Sequence, residues 1–137
     1  MPYWELYYHL VWSTRDREPL ITAGLRDDLH QYLRGKGISL GGVVHAVGGT
    51  EDHIHVAVSI PPRLALATFV GELKGASSHW VTHVSGQAPA FKWQDEYGAL
   101  SFGKKSLPTV VAYIHCQSEH HQTGQLCAAM ERTKDGA

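Results

Sequence analysis

ISLGGVVHAVGGTEDHIHVAVSI, residues Ile38 to Ile60, is the stretch on which the fold turns. Ile38 to Val47 reads as one strand, with a bulge expected at Gly41-Gly42. Gly48-Gly49 reads as a turn, and His53 to Ile60 as the next strand, closed by Pro61-Pro62. So short a link joins antiparallel neighbours, because parallel neighbours need a crossover of about a dozen residues or more. That argues against the alternative, a small doubly wound sheet. Upstream, Tyr7 to Thr14 is aromatic and β-branched, the composition of a strand, and the polar run Arg15 to Pro19 ends it. Ile21, Leu25, Leu29, Tyr32 and Leu33 then fall at helical spacing, with Gly35 and Gly37 expected to stop the helix.

Downstream, Leu66, Phe69, Val70, Leu73, Ser77, Trp80, Val81 and Val84 mark a second long helix with one apolar face. Gly86 to Gly98 reads as a loop and Ala99 to Lys104 as a fourth strand. Ser106 is the expected N-cap, with Pro108 in the first turn, of a helix from Thr109 to about His121. The polar tail from Gln122 is expected to fray. The order is strand, helix, strand, strand, helix, strand, helix, and its first six elements match a split βαβ, or ferredoxin-like, α+β fold. It implies an antiparallel sheet with helices packed on it and a C-terminal helix.

The chain has 137 residues and a hydrophobic content of 43%, enough for one domain spanning residues 1–137 with its own core. Net charge is -1, without the bulk basic charge of most nucleic-acid binders, so any such role needs a local basic face. Ten histidines promise a charge that responds to mild acidification. Cys116 and Cys127 share no CxxC spacing and do not make a disulfide framework, which favours a reducing compartment. The start has no signal-peptide pattern, and no apolar run is long enough to span a bilayer. A soluble, cytoplasmic protein without membrane contact is expected.

His53 and His55 are two residues apart on a strand, so both imidazoles share one face while Ile54 points into a core. Such a pair is half of a metal site, or simply two hydrogen-bonded histidines at a strand end. Asp52 and Glu51 beside it are orienting partners or turn residues. On the last helix Tyr113 and Gln117 stand four apart on one face, with His120 and His121 near the same side. A tyrosine beside Val110, Val111 and Ile114 is ordinarily core packing, and a lone glutamine a solvated residue. If the helix turned Tyr113 toward the histidines, His53, His55 and the Gln117 amide oxygen could hold a divalent cation. Imidazole and amide oxygen without thiolate suit Mg²⁺ or Mn²⁺. Tyr113 would then be placed as a nucleophile toward a phosphate.

At these residues the chain resembles the single-tyrosine HUH transposases, including the REP-associated tyrosine transposases. His53-Ile54-His55 matches the His-hydrophobic-His motif. YHLVWSTRDREPL, LKGASS from Leu73, WQDEYGALSF from Trp93 and YIHCQSEHH from Tyr113 match in family order. Glu96 stands where the family pattern has glycine. The resemblance implies a homodimer that binds single-stranded DNA folded as a hairpin. It implies cleavage of one phosphodiester through a 5′-phosphotyrosine on Tyr113, with His53, His55 and Gln117 on the metal, and rejoining by the freed 3′-hydroxyl. No nucleotide cofactor is implied.

Arg15, Arg17, Arg63, Lys74, Lys104 and Lys105 are candidate phosphate contacts, or ordinary surface charges. Trp93 and Tyr97 are either base-stacking platforms or loop anchors, whereas Trp4, Trp12 and Trp80 are assigned to packing. Tyr97 lacks a glutamine four residues on, which favours Tyr113 as the nucleophile. Two other functions stay open: a domesticated, non-catalytic hairpin binder, and a metal-dependent phosphoesterase that uses activated water.

Overall fold

The computed structural model describes residues 3–117. Its strands are β1 (Tyr7–Ser13), β2 (Val43–Gly49), β3 (His53–Ser59) and β4 (Gly98–Phe102). Its helices are α1 (Ala23–Ser39), α2 (Leu66–His79) and α3 (Leu107–His115). The sheet order is β2-β3-β1-β4 and every pairing is antiparallel, so the ferredoxin-like α+β expectation holds.

Alternation along the strands sorts side chains to two faces. Leu10, Trp12, Ile54, Val56 and Val58 face α1 and α2, where Leu25, Leu29, Leu33, Phe69, Val70 and Leu73 complete the larger core. The opposite face is covered by α3 through a smaller cluster of Ala46, Ala57, Val110, Tyr113 and Ile114. Small residues on the sheet let α3 lie close to it. His55 is buried on this second face.

Glycines behave differently from their expected roles. α1 starts at the Thr22 cap, whose hydroxyl accepts from Leu25 N–H, and runs through Gly35 and Gly37 to Ser39. It stops where Gly41 takes φ 102°, with Gly41 N–H donating to Ile38 O and Gly42 N–H to Gly37 O. These two bonds form a Schellman ending. Ile38 and Ser39 therefore belong to the helix, not to β2. Gly42 instead makes room for the Phe69 ring, and Gly37 for a Val44 methyl. The bulge falls between Val44 and Ala46. Gly48 and Gly49 are strand residues paired with His55 and Ile54, and the turn is Thr50 to Asp52.

α2 passes at Trp80–Ser85 into a π-helical turn that Gly86 ends with φ 70°. β4 begins at Gly98 and ends at Phe102, leaving Lys104 in a short 3₁₀ turn. α3 begins earlier than expected, at Leu107, without a side-chain cap from Ser106, and runs to His115, with Cys116 N–H still donating to Ala112 O. His120, His121, Cys127 and the tail from Gln122 lie outside the described residues. Among the described residues no helix is long and apolar enough to cross a membrane.

Candidate metal and nucleophile site

β3 presents His53 and His55 on the α3 side of the sheet, their ring centroids 4.9 Å apart and nearly perpendicular. The turn that delivers them is clasped from both sides. Thr14 N–H donates to Asp52 O at 2.9 Å, and Ile21 N–H donates to Glu51 O at 2.9 Å. His53 Nδ1 lies 2.7 Å from Asp52 Oδ1 and 2.9 Å from Thr50 Oγ1. Burial alone would raise the Asp52 carboxyl. The His53 hydrogen bond and the Arg17 guanidinium, 3.5 Å away, outweigh it and hold Asp52 below the ordinary carboxylate value. Asp52 is thus the orienting partner of His53, while Glu51 is exposed.

α3 brings the second group of residues. The Tyr113 ring meets His55 edge-on at 5.3 Å, and Tyr113 is fully buried. Gln117, beyond the end of α3, is also buried. Its Nε2 donates to Tyr113 O at 3.2 Å, which turns Oε1 toward His53 Nε2, 3.3 Å away. Since a carboxylate can only accept, Asp52 keeps a proton on His53 Nδ1. The Nε2 lone pair of neutral His53 then faces the Gln117 amide oxygen. Two acceptors turned on each other call for a cation between them, either a second proton or a metal ion. Two imidazoles and an amide oxygen, without thiolate, fit a hard or borderline divalent ion such as Mg²⁺ or Mn²⁺. Among the described residues no group of three His, Cys, Asp or Glu side chains could hold a metal, so a third protein donor beside the two imidazoles would have to be of another kind, such as this amide.

Residues 2–117 match the family model described as "Transposase IS200 like". The chain belongs to the IS200-like transposase family. Among relatives of this transposase, the ISDra2 transposase TnpA of Deinococcus radiodurans is 26% identical over 121 residues, covering 85% of this chain and 86% of that one. A transposase for insertion sequence element IS200 from Salmonella typhimurium is 26% identical over 128 residues, covering 89% and 83%. A crystal structure of a putative transposase from Deinococcus radiodurans superposes with a TM-score of 0.66 at 24% identity, over 85% of this chain and 95% of that one. A REP-associated tyrosine transposase bound to a REP hairpin superposes with a TM-score of 0.63 at 17% identity, over 92% and 76%.

The six candidate cations of the transposase separate. Arg15 and Arg17 leave β1 at the His53 end of the sheet, since Ser13 pairs with His53. With Lys92, Gln94 and Asp95 they line a cleft of about 370 Å³. Arg63 follows the far end of β3, and Lys104 and Lys105 follow the far end of β4. That end is about 20 Å from His53, at ~3.3 Å per strand residue. Lys104 lies 3.5 Å from Glu5 in an exposed pair. Lys74 is a structural residue: its ammonium donates to Gln94 O at 2.7 Å and Glu96 O at 3.1 Å. Burial lowers its pKa, although Asp95 nearby opposes this.

Trp93 is also an anchor and not a stacking platform, being buried against Trp12 and Phe91 with its Nε1–H on Ser77 Oγ at 2.9 Å. Tyr97 stays exposed. The LKGASS and WQDEYG segments therefore belong together because Lys74 and Ser77 hold the loop. That loop in turn grips β1, through Gln94 Oε1 on Ser13 N–H and Oγ–H and through Lys92 O on Arg15 N–H. Lys92, Gln94 and His9 are not singled out by sequence reasoning. Lys92 and Gln94 carry no distinguishing signal. His9 gains its place only from the β1–β3 register: it lies two residues before Val11, which pairs with His55, and so shares the histidine face.

Proposed function

We propose that this transposase cleaves and rejoins single-stranded DNA at hairpin-bearing ends through a 5′-phosphotyrosine on Tyr113. The observation that carries the proposal is the meeting of His53 and His55 on β3 with Tyr113 and Gln117 on or just beyond α3. These residues come from distant parts of the chain, and packing alone does not require a histidine pair there. His53 Nε2, His55 and Gln117 Oε1 would hold Mg²⁺ or Mn²⁺, which when bound polarises a phosphodiester oxygen and offsets developing negative charge. Tyr113 supplies the attacking oxygen. Its bond to phosphorus forms as the bond to the 3′ oxygen breaks, and the phenolic proton ends on that oxygen. One phosphodiester becomes another, so attack by the free 3′-hydroxyl rejoins strands without an energy source.

Asp52 and Thr50 hold the His53 ring, and Gln117 ties the turn after α3 to the nucleophile's own carbonyl. Tyr113 has no exposed surface in the described chain, so its hydroxyl must be uncovered when DNA arrives. Arg15 and Arg17 are proposed to receive the strand near His53. Arg63, Lys104 and Lys105, at the opposite end, are proposed to serve more distant DNA. The working unit is proposed to be a homodimer of one domain per chain, acting in the cytoplasm without a nucleotide cofactor.

Covalent trapping tests this. The chain is mixed with single-stranded DNA from its host and Mg²⁺ or Mn²⁺, denatured, trimmed with nuclease and read by mass spectrometry. A nucleotide adduct on Tyr113, lost in Tyr113→Phe while a gel shift persists, is the expected result. Binding without an adduct under either ion would make the chain a hairpin binder. Turnover of small phosphodiesters indifferent to Tyr113→Phe would make it a phosphoesterase.

A further inference from the structure

A histidine serves a metal through one ring nitrogen, and the partner of the other nitrogen decides whether the serving one keeps its lone pair. For His53 that partner is the Asp52 carboxylate, an obligate acceptor. For His55 it is a second histidine. His9 Nε2 on β1 lies 2.8 Å from His55 Nδ1, both residues are buried, and their rings stand 5.0 Å apart. The pairing follows from register: His9 is opposite Ala57, which puts it diagonal to His55 on the same face.

An imidazole pair allows the bond to run in either direction. If His9 donates, His55 keeps its proton on Nε2 and turns an N–H toward the site. If His9 accepts, His55 donates from Nδ1 and its Nε2 lone pair faces the site. Only the second arrangement suits a cation. We infer that His9 is a positioning residue: by accepting from His55 Nδ1–H it selects the ligand tautomer and fixes the ring. The inference rests on the metal-site reading of His53, His55 and Gln117. The His9 ring also meets Tyr113 edge-on at 5.7 Å, so one side chain braces both the ligand and the nucleophile.

The test is Mn²⁺ binding to the full chain without DNA, followed by electron paramagnetic resonance, in wild type, H9F and H9Q. Phenylalanine fills the volume without an acceptor, whereas glutamine puts an amide oxygen where Nε2 stood. H9F should lose about 10- to 100-fold in affinity, the usual effect of removing such a partner. H9Q should recover most of it, which a purely space-filling role would not produce. In parallel, ¹⁵N spectra of the wild-type imidazoles with Mg²⁺ should show His55 protonated at Nδ1. H9F binding Mn²⁺ as tightly as wild type would overturn the inference and leave the metal site standing. So would His55 protonated at Nε2 in the Mg²⁺-loaded chain, which decides the matter even if H9F does not fold. Wild type that binds no Mn²⁺ would overturn both.

Discussion

His30 on α1 lines a small cavity with Arg26, Asp27, Val47, Ile114 and His115. Its buried Nε2 has no hydrogen-bond partner among the described residues. Burial, helped by the Arg26 charge and opposed by Asp27, pushes its imidazole down to about 4. The unfolded chain therefore takes up this proton at a higher pH than the folded one. The stability tied to neutral His30 is present above about pH 6.5 and is lost as pH falls toward 4. Replacing His30 by Leu should flatten the loss of urea-midpoint stability over that window, by roughly 1–2 kcal/mol after allowing for partial solvent screening. An unchanged acid slope would assign the sensitivity to other groups. His45 is likewise held down by burial. The histidine count thus overstates how readily this chain charges on mild acidification.

The position of α3 is set by a glycine. A Cβ on Gly48 would collide with the Ile114 carbonyl oxygen and press on its Cγ2, so only glycine lets the helix lie on β2. The same seating places Tyr113 against His55 and Gln117 against His53. Gly48→Ala should push the helix away, at about 1–3 kcal/mol, the usual cost of overpacking. Hydrogen exchange should rise along Val110 to Gln117 while β1 stays protected. Equal loosening of both would mean that α3 and the sheet open as one unit. The Gly48-Gly49 pair reads as a turn from sequence because glycine pairs ordinarily mark one. Here Gly48 answers to a helix more than fifty residues away, a requirement no local pattern contains, and Gly49 to the His53 carbonyl of β3. Gly35 and Gly37 mislead for a related reason: the helix crosses both and ends only at Gly41, whose φ is 102°.

Across the whole molecule, a chain of net charge -1 must hold DNA by placement and not by bulk attraction. Arg15, Arg17 and Lys92 gather at the His53 end, where Asp16 and Arg17 both hold positive φ, near 55°. Neutralising these three cations should lower the slope of log affinity against log salt by ~0.7 for each phosphate of single-stranded DNA that they engage. Lys74→Met should move that slope less than the loss of Arg15 or Arg17, because two of its ammonium N–H groups are held by the Gln94 and Glu96 carbonyls. A slope that moves with Arg63, Lys104 and Lys105 instead would put the principal grip at the opposite end of the sheet.

By itself the sequence determined what is periodic or adjacent. Strand alternation put His53 and His55 on one face, helical spacing put Tyr113 and Gln117 on another, and the shortness of the link between β2 and β3 made that pair antiparallel, although its turn falls at residues 50–52 and not at Gly48-Gly49. Tertiary structure alone decided which of those faces meet and what stands behind them. His9 is a ligand's partner only because β1 lies beside β3 in one register. Lys74 is an anchor only because the 92–96 loop folds over α2. Periodicity is carried by each residue's neighbours along the chain, whereas docking depends on shape and hydrogen-bond satisfaction between segments that the chain keeps far apart.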